Sequence, residues 1–264
     1  YGMIPFLVHG CITNPTDAYF ETMSGFTTTG ASIFDDVEVL PHGILFWRSL
    51  MQWIGGLGIV FFTIAILPSL VGGSVKVFAA EATGPIKAKM HPRLSTTAKW
   101  IWSIYLLLTI GCGIAFWLVG MNWFDAINYS MTTTATGGFS IHNDSLAFFH
   151  DATIDYIAIL FQFLAGINFT LLYTSIFKIR FASLFRNSEF KFYISVVLLA
   201  TACITAVLFT QSGYGLEHAL RSGLFQVVSF MTTTGIFSDD VAKWPHITWI
   251  ILGGVMFIGA CAGS

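Results

Sequence analysis

Charged residues are scarce in this chain. Asp, Glu, Lys and Arg make up only 10% of the 264 residues, whereas 55% are hydrophobic, including 26 Phe and 8 Trp. Soluble domains carry roughly a quarter charged residues, so the composition excludes an ordinary soluble fold and indicates a polytopic membrane protein. Because the chain opens in mid-segment at Tyr1 and stops abruptly at Ser264, we expect a fragment of a longer protein.

Paired cysteines and catalytic motifs are also missing. Cys11, Cys112, Cys203 and Cys261 stand alone without a C-x-x-C pair, which supports neither a disulfide framework nor a zinc site. The seven histidines lack metal-ligand spacing and are expected at the surface. Since no Walker-type loop, nucleophile elbow or paired carboxylate motif is present, we predict that the chain is not an enzyme.

Several apolar stretches are long enough to cross a bilayer, which requires about 20 residues as helix. They lie at roughly 44–70, 97–120, 152–177 and 190–211, with a fifth that begins near 247 and the end of another at 1–12. Shorter segments of about 11 to 15 helix-compatible residues lie between them, near 16–28, 124–136 and 216–232. Because these are too short to cross, we predict re-entrant, half-membrane helices.

The charges that are present are sorted along the chain. Nine of the twelve Lys and Arg lie in the loops 73–99 and 178–191, together with only two acids, Glu81 and Glu189. The positive-inside rule predicts that these loops are cytoplasmic and that the short segments enter from outside. The other twelve acids lie in the alternate segments. They either raise the local cation concentration at an outer mouth or simply populate outer loops.

The short segments are copies of one another. "NPTDAYFETMSGFTTTGAS" (14–32) aligns with "NWFDAINYSMTTTATGGFS" (122–140), which places Gly30 on Gly138. A third copy, "SGLFQVVSFMTTTGIFS" (222–238), aligns through Gly235 but lacks the Asn and Asp start. The glycines are 108 and 97 residues apart, which leaves room each time for two spanning helices and the next half-helix. The repeat predicts successive units of helix, re-entrant helix with a Thr/Gly loop, and helix.

The first two copies begin with a helix-capping pattern. Asn14 and Asn122 suit the N-cap, and Asp17 and Asp125 fall at the third helical position, where acids favour exposed amides and the positive dipole end. Pro15 suits the first helical position. We therefore expect each re-entrant helix to begin at the outer surface and to point its carbonyl end toward the membrane centre.

The Thr/Gly stretch that follows each short helix suits a pore. Non-helical backbone at membrane depth survives only where it is buried in protein or lines water. Glycine permits backbone angles that let successive carbonyls aim at one axis, and rings of carbonyls replace the hydration shell in potassium filters. Small residues also mark close helix packing, but three copies in matching register favour a pore.

These motifs resemble a known family. The matching stretches are "DAYFETMSGFTTTGAS", "FWRSLMQWIGGLGI", "INYSMTTTATGGFS", "GINFTLLY", "LFQVVSFMTTTGIFSDDVAKWP" and "GACAGS". The chain is similar to the Trk/Ktr/HKT potassium transporter superfamily, and within it to the bacterial Trk-type membrane subunit. The resemblance implies an all-α membrane protein with four helix–P-loop–helix repeats in pseudo-four-fold order around one pore. It also implies a homodimer in the cell (inner) membrane, gated by a cytosolic nucleotide-binding ring of the RCK type.

The resemblance further implies that K⁺ is the transported ion and that no covalent cofactor is needed. It assigns the filter ligands to Thr28, Thr29, Gly30, Thr136, Gly137, Gly138, Thr233, Thr234 and Gly235. It places a gate below the filter, in a break of the last helix at Gly259, Ala260, Cys261, Ala262, Gly263 and Ser264. The glycine-rich "GGVMFIGACAGS" supports such a break, with close helix packing as the alternative.

The repeat predicts a division into five parts. Residues 1–72 hold the end of the first outer helix, pore loop 1 and inner helix 1, and 73–96 form a cytoplasmic loop. Residues 97–178 form the second repeat with pore loop 2, and 179–189 a second cytoplasmic loop. Residues 190–264 form the third repeat with pore loop 3 and the start of its gating inner helix. The fourth repeat, which the resemblance implies, is expected to be absent from these five parts.

The three predicted filter quadrants are not identical, since Gly30, Gly138 and Gly235 are followed by Ala, Phe and Ile. We therefore expect modest selectivity. In related plant transporters a serine at the first filter glycine accompanies sodium preference, so Gly30 favours potassium. The alternatives are a sodium- or ammonium-permeating channel or carrier, or a membrane-embedded enzyme or scaffold, which would need acid/base residues that the spanning segments lack.

Three further features carry expectations. Arg48, near the outer end of a spanning helix, is expected to snorkel to the interface. Asn168 is expected within a helix, either bonded across helices or facing the pore. The glycines of "WIGGLGI" are expected to serve close helix packing.

Overall fold

The computed structural model describes residues 1–58, 94–169, 171–172, 175 and 185–259. Every regular element within these residues is helical, which confirms the all-α prediction. In chain order the α-helices are α1 (Ile4–His9), α2 (Pro15–Phe26), α3 (His42–Gly56), α4 (Leu94–Leu118), α5 (Trp123–Thr134), α6 (Ala152–Ala165), α7 (Ser188–Gln211), α8 (Leu216–Met231) and α9 (His246–Ile258). Short 3-10 turns lie at Ser145–Phe149 and Val241–Lys243.

The helices pack as a repeated unit. In each unit an outer helix is followed by a short helix and an inner helix: α1–α2–α3, α4–α5–α6 and α7–α8–α9. The short helices have 12, 12 and 16 residues, or roughly 18 to 24 Å at 1.5 Å per residue, less than a hydrocarbon core. Each inner helix also packs on the short helix of the next unit, α3 on α5 and α6 on α8. The predicted repeat of helix, pore loop and helix is confirmed.

Capping residues explain where the short helices begin. The Asn14 side chain accepts a hydrogen bond from the Thr16 amide, and the Asn122 side chain accepts from the amides of Phe124 and Asp125. These bonds satisfy amides that have no partner inside the helix, as predicted from the Asn-x-x-Asp pattern. In α8 the N-cap is Gly215, which has no side chain to accept such a bond.

The outer helices present apolar side chains outward as well as inward. On α4 the exposed residues Leu107, Ile110, Ile114 and Trp117 follow a three-to-four residue spacing. The opposite face buries Ile104, Cys112 and Phe116 completely against the neighbouring helices. A helix that is apolar on all sides suits a lipid environment.

Length and composition identify two membrane-span candidates among the described helices, Trp100–Leu118 and Ser188–Gln211. The inner helices α6 and α9 are apolar but shorter.

Two inner helices, α3 and α6, end earlier than predicted. For the predicted span 152–177, α6 stops at Ala165 and residues 166–168 are not helical, so the expectation that Asn168 lies within a helix was wrong. For 44–70, α3 stops at Gly56, Gly58 has φ +69°, and residues 59–70 lie outside the described part. The last helix, α9, stops at Ile258, and Gly259 has φ +45°. The ends of α3 and α9 have a common physical cause. Each is followed by a glycine, which reaches a positive φ that other residues avoid.

Candidate functional site

The three Thr/Gly loops share one backbone conformation. We name them loop 1 (residues 27–32), loop 2 (135–140) and loop 3 (232–237), each following the C-terminus of a short helix. Each loop has a positive φ at a threonine and again two residues later at a glycine. The values are Thr28 +54°, Gly30 +80°, Thr136 +51°, Gly138 +81°, Thr233 +55° and Gly235 +75°. Residues that occupy equivalent places in the sequence repeat therefore adopt the same left-handed geometry.

Hydrogen bonds to the preceding helix impose this conformation. In loop 1 the Thr28 amide donates to the Gly25 carbonyl at 3.1 Å and the Thr29 amide to the Ser24 carbonyl at 3.0 Å. The corresponding amides of loops 2 and 3 donate to carbonyls three and five residues back in the same way, over 2.8 to 3.2 Å. This pattern is a helix C-terminal cap that usually has glycine at the left-handed position. Here the position is a threonine each time.

A threonine in the left-handed region is strained. For a β-branched residue a positive φ is an outlier. The backbone strain costs about 1–3 kcal/mol and persists only where the surrounding structure holds the residue in place. Strained backbone of this kind clusters at functional sites. Three equivalent threonines with this strain mark the loops as the candidate site.

The loops lie side by side. A Cβ built on Gly30 would lie 2.5 Å from the Gly137 carbonyl oxygen, and one built on Gly138 would lie 2.3 Å from the Thr234 carbonyl oxygen. Loop 1 therefore touches loop 2, and loop 2 touches loop 3, with glycine required at both contacts. A Cβ on Gly235 would meet no atom within 4 Å. Within the described residues the loops form an arc in the order 1–2–3.

Burial follows this order. Thr136, in the middle loop, is only 3% exposed, whereas Thr28 is half-buried and Thr233 is exposed. Loop 2 has a neighbour on each side, and each outer loop has one. Thr27 and Thr29 of loop 1 are also exposed, whereas Thr232 and Thr234 of loop 3 are buried.

Side chains brace the loops differently. In loops 1 and 3 two threonine hydroxyls contact each other, Thr27 with Thr29 and Thr232 with Thr234, both at 2.7 Å. Loop 2 has Ala135 and Gly137 at these places, and a side chain from α3 fills the space.

That side chain is Gln52, which is fully buried. Its Nε2 donates to the Gly137 carbonyl at 2.6 Å, and its Oε1 accepts from the Phe139 amide at 3.0 Å. A Cβ on Gly137 would lie 2.4 Å from the Gln52 Cδ, so the second glycine of "TGG" is needed to admit the amide. The sequence analysis did not single out Gln52. The feature that could have indicated Gln52 is an uncharged polar residue within an apolar helix.

Arg48 does not snorkel, so that expectation was wrong. The side chain is 2% exposed and forms an ion pair with the fully buried Glu21, with 2.8 Å between Nε and Oε1. The sequence analysis did not single out Glu21 either. The feature that could have indicated Glu21 is an acidic residue in the middle of a short helix, beyond the capping turn.

Many acids at the end of the molecule where the short helices begin are bound to neighbouring side chains. Asp36 accepts a hydrogen bond from the Asn143 side chain at 2.8 Å, and Lys243 pairs with Asp240 at 2.9 Å. The hydrogen bond from Asn143 lowers the pKa of Asp36, and the hydrogen bond from Lys243 lowers the pKa of Asp240. These acids therefore help to hold the loops of this end, beyond any effect on local cation concentration.

One histidine departs from the expectation of a free surface residue. His142 stacks on Phe148 at 3.8 Å, with Nε2 3.3 Å from Asp125 and Nδ1 3.5 Å from Glu38. Burial lowers its pKa, but hydrogen bonds and charge attraction from the two carboxylates outweigh it, so the pKa is raised above 6.5.

The predicted site residues divide into two sets. All nine predicted filter residues lie in the three adjoining loops. Of the predicted gate residues, Gly259 ends α9, and residues 260–264 lie outside the described part. The packing expected for "WIGGLGI" is confirmed at Gly55 and Gly56, where an added Cβ would lie 2.1 Å from the Phe26 carbonyl oxygen and 2.7 Å from the Tyr105 hydroxyl.

Known proteins are similar to this chain in sequence and in fold. The profile of the family described as TrkH, cation transport protein, matches residues 5–264. The chain is 42% identical over 251 residues to the Trk system potassium uptake protein TrkH of Salmonella typhimurium, covering 94% of this chain and 52% of the relative. It is 37% identical to the Trk system potassium uptake protein TrkG of Escherichia coli K12, covering 94% and 51%.

A solved structure has a similar fold. The crystal structure of the potassium transporter TrkH from Vibrio parahaemolyticus superimposes with a TM-score of 0.81 at 38% identity, over 100% of this chain and 54% of that one. The chain spans about half the length of the relatives it matches. With the family profile matching nearly every residue, the chain belongs to the TrkH family of cation transport proteins.

Proposed function

We propose that the chain forms three quadrants of a potassium uptake pathway across the cell membrane, with loops 1 to 3 as its selectivity filter. The observation that carries this proposal is the left-handed geometry shared by Thr28, Thr136 and Thr233 and by the glycine two residues after each. A backbone with a positive φ at every second residue can turn successive carbonyls to one side of a strand, which suits coordination of a dehydrated cation. Relatives of this chain are named potassium uptake proteins.

The electrostatics support a cation rather than an anion. α2, α5 and α8 each end directly before a Thr/Gly loop. The C-terminus of a helix carries a partial negative charge, so three such ends converge near the loops. Carbonyl and hydroxyl oxygens are neutral ligands that replace hydration without trapping the ion.

The remainder of the assembly is also part of the proposal. A fourth Thr/Gly loop would close the arc between loops 3 and 1, and residues 259–264 would form a gate in the inner helix. The whole protein would be a multi-pass homodimer of the inner membrane, controlled by a cytosolic nucleotide-binding ring. The acidic end of the molecule would then face outside.

Uptake of K⁺ against Na⁺ by the full-length protein tests the proposal. In cells that lack other potassium uptake, we expect the wild type to favour K⁺ and Gly30→Ser to lose most of that preference. A serine Cβ at Gly30 would meet the Gly137 carbonyl and would occupy a backbone with φ +80°. Gly43→Ser is the matched control, because an added Cβ there meets no atom within 4 Å. An unchanged ion ratio in Gly30→Ser would refute the filter assignment, and equal transport of Na⁺ or ammonium by the wild type would favour the alternative cation.

A further inference from the structure

A buried ion pair lies directly behind loops 1 and 2. Arg48 of α3 is 2% exposed and Glu21 of α2 is fully buried, with Nε and Oε1 2.8 Å apart. Removing two charges from water is expensive, and a buried pair survives only with good geometry and further hydrogen bonds. Such bonds are present on both partners, and they lead to the loops.

Arg48 bonds to both loops at once. Its Nη1 donates to the Ser140 carbonyl of loop 2 at 3.1 Å, and its Nη2 donates to the Ser32 hydroxyl of loop 1 at 3.0 Å. The guanidinium also lies 4.2 Å from the ring centroid of Phe139. Ser32 and Ser140 each follow the positive-φ glycine of their loop by two residues. The planar fork of one side chain thus spans the contact between two loops.

Glu21 secures the loop 1 side of this bridge. Its Oε1 accepts from the Ser32 hydroxyl at 3.1 Å and its Oε2 from the Ile33 amide at 3.0 Å. Both carboxylate oxygens are therefore engaged by groups just beyond loop 1's glycine. Bonds of this charge-assisted type are shorter and stronger than neutral ones.

The bridge occurs in the first unit alone among those described. The place of Glu21 in the repeat is taken by Tyr129 in α5 and Gln226 in α8, which are also buried. Tyr129 contacts the Ser140 hydroxyl at 2.7 Å, so it too braces its own loop. Arg48, however, corresponds to Ala158 in α6 and Leu252 in α9 when the inner helices are aligned from their first residues. Neither side chain can form an ion pair.

We propose that Arg48 and Glu21 are positioning residues that hold loop 1 at a set distance from loop 2 and thereby determine how well the filter discriminates K⁺ from Na⁺. This inference rests on the proposed function. Discrimination between ions of one charge depends on how the ligand oxygens are held. A rigid fork that bonds to two loops restricts their relative movement, whereas a single flexible ammonium would not.

The test is a conservative substitution of each partner in the full-length protein. Arg48→Lys keeps the charge next to Glu21 but loses the fork, and Glu21→Gln keeps the shape but loses the charge. The ratio of K⁺ to Na⁺ uptake is measured together with the amount of protein in the membrane. We expect either variant to lower the ratio by about tenfold, the effect of one lost charge-assisted hydrogen bond.

Arg221→Lys is the matched control. Arg221 of α8 also forms ion pairs, with Asp155 and with Glu217, and its described ion pairs do not involve a Thr/Gly loop. We expect its ion ratio to equal that of the wild type. If arginine at this end of the molecule had a purely structural role, Arg48→Lys and Arg221→Lys would change the ion ratio alike.

The outcomes separate the two proposals. A selective wild type whose ratio is unchanged in Arg48→Lys and Glu21→Gln overturns the positioning role and leaves the filter assignment standing. A wild type that does not prefer K⁺ overturns the proposed function itself. If Arg48→Lys does not accumulate, Glu21→Gln decides, and failure of both to accumulate assigns the pair to folding and overturns the inference.

Discussion

Single residues decide how each loop is held. Loops 1 and 3 use pairs of threonine hydroxyls, whereas loop 2 uses the Gln52 amide, which enters where Gly137 has no side chain. The repeat therefore keeps the backbone geometry while the bracing chemistry changes. The Gln52 side-chain amide gives a hydrogen-bond partner to one buried backbone carbonyl and to one buried backbone N–H, which would otherwise lack this partner.

Substituting Gln52 by leucine should destabilise the protein strongly. Gln52→Leu leaves the Gly137 carbonyl and the Phe139 amide buried without this partner, and each such group costs about 1–3 kcal/mol. Gln162 is the matched control, since it is the eleventh residue of α6 as Gln52 is of α3 and is also fully buried.

The Gln162 amide has no hydrogen-bond partner among the described residues, so Gln162→Leu should be neutral or stabilising. Thermal unfolding in detergent compares the two. Equal losses of stability would contradict the bracing role of Gln52.

His142 should make stability depend on pH. Its two ring nitrogens face Asp125 and Glu38, and both can donate only when the ring is protonated. Because the pKa of folded His142 is raised above 6.5, its contribution is fully present below that value and is lost as pH rises through the folded pKa.

We therefore expect His142→Gln to lower the unfolding midpoint more at acidic pH than at alkaline pH. The exposed His9 at the end of α1, substituted in the same way, is the control. A midpoint difference for His142→Gln that stays constant with pH would argue against the paired imidazolium.

At the scale of elements, close approach of helices sets where the loops stand. Gly55 and Gly56 at the end of α3 admit the C-terminus of α2 and the start of loop 2, because an added Cβ would lie 2.1 Å from the Phe26 carbonyl oxygen and 2.8 Å from the Ala135 Cα. The inner helix of one unit thus touches the short helices of two units. Small residues at such contacts let helix backbones meet.

Two alanine substitutions in α3 should have opposite effects. Gly55→Ala forces a clash with backbone and should cost about 1–3 kcal/mol or more by overpacking. Gly43→Ala, in the first turn of the same helix, meets no atom within 4 Å and should gain up to about 1 kcal/mol from helix propensity. Unfolding midpoints measure both. Equal effects would contradict the packing role of Gly55.

At the scale of the whole molecule, the three loops form an arc within the described residues, with loop 2 between loops 1 and 3. Most of loop 2 is buried and most of loop 1 is exposed, whereas loop 3 alternates, with Thr233 exposed and Thr234 buried. The packing of α3 on α5 and of α6 on α8 links each unit to the next. We propose that one more unit completes the ring.

A comparison of two equivalent glycines tests that closure. Gly138→Ala combines backbone strain at φ +81° with a clash at the Thr234 carbonyl, whereas Gly235→Ala in the described chain carries backbone strain alone, about 1–2 kcal/mol. In the full-length protein we expect both variants to lose similar stability, because a fourth loop would adjoin Gly235. A Gly235→Ala variant that remains clearly more stable than Gly138→Ala would contradict a closed ring.

The sequence by itself determined the repeat, the capped starts of α2 and α5, the short length of α2, α5 and α8, and the family. Each of these depends on local pattern: an N-cap residue beside its helix, a glycine at a turn, or a run of apolar residues. The nine predicted filter residues were assigned by the resemblance to a known family, onto three copies of one motif.

Only the tertiary structure decided what lies behind the loops. Arg48 and Glu21 are 27 residues apart in sequence, and Gln52 meets Gly137 across 85, so no local pattern relates them. An arginine at a helix end can snorkel to water or be buried against a carboxylate, and the choice depends on which helix packs beside it. The structure was also needed to show where α3 and α6 stop, because a run of apolar residues does not reveal a break in its backbone. Long-range contacts supply the partners of buried polar groups, and those contacts exist only in the folded chain.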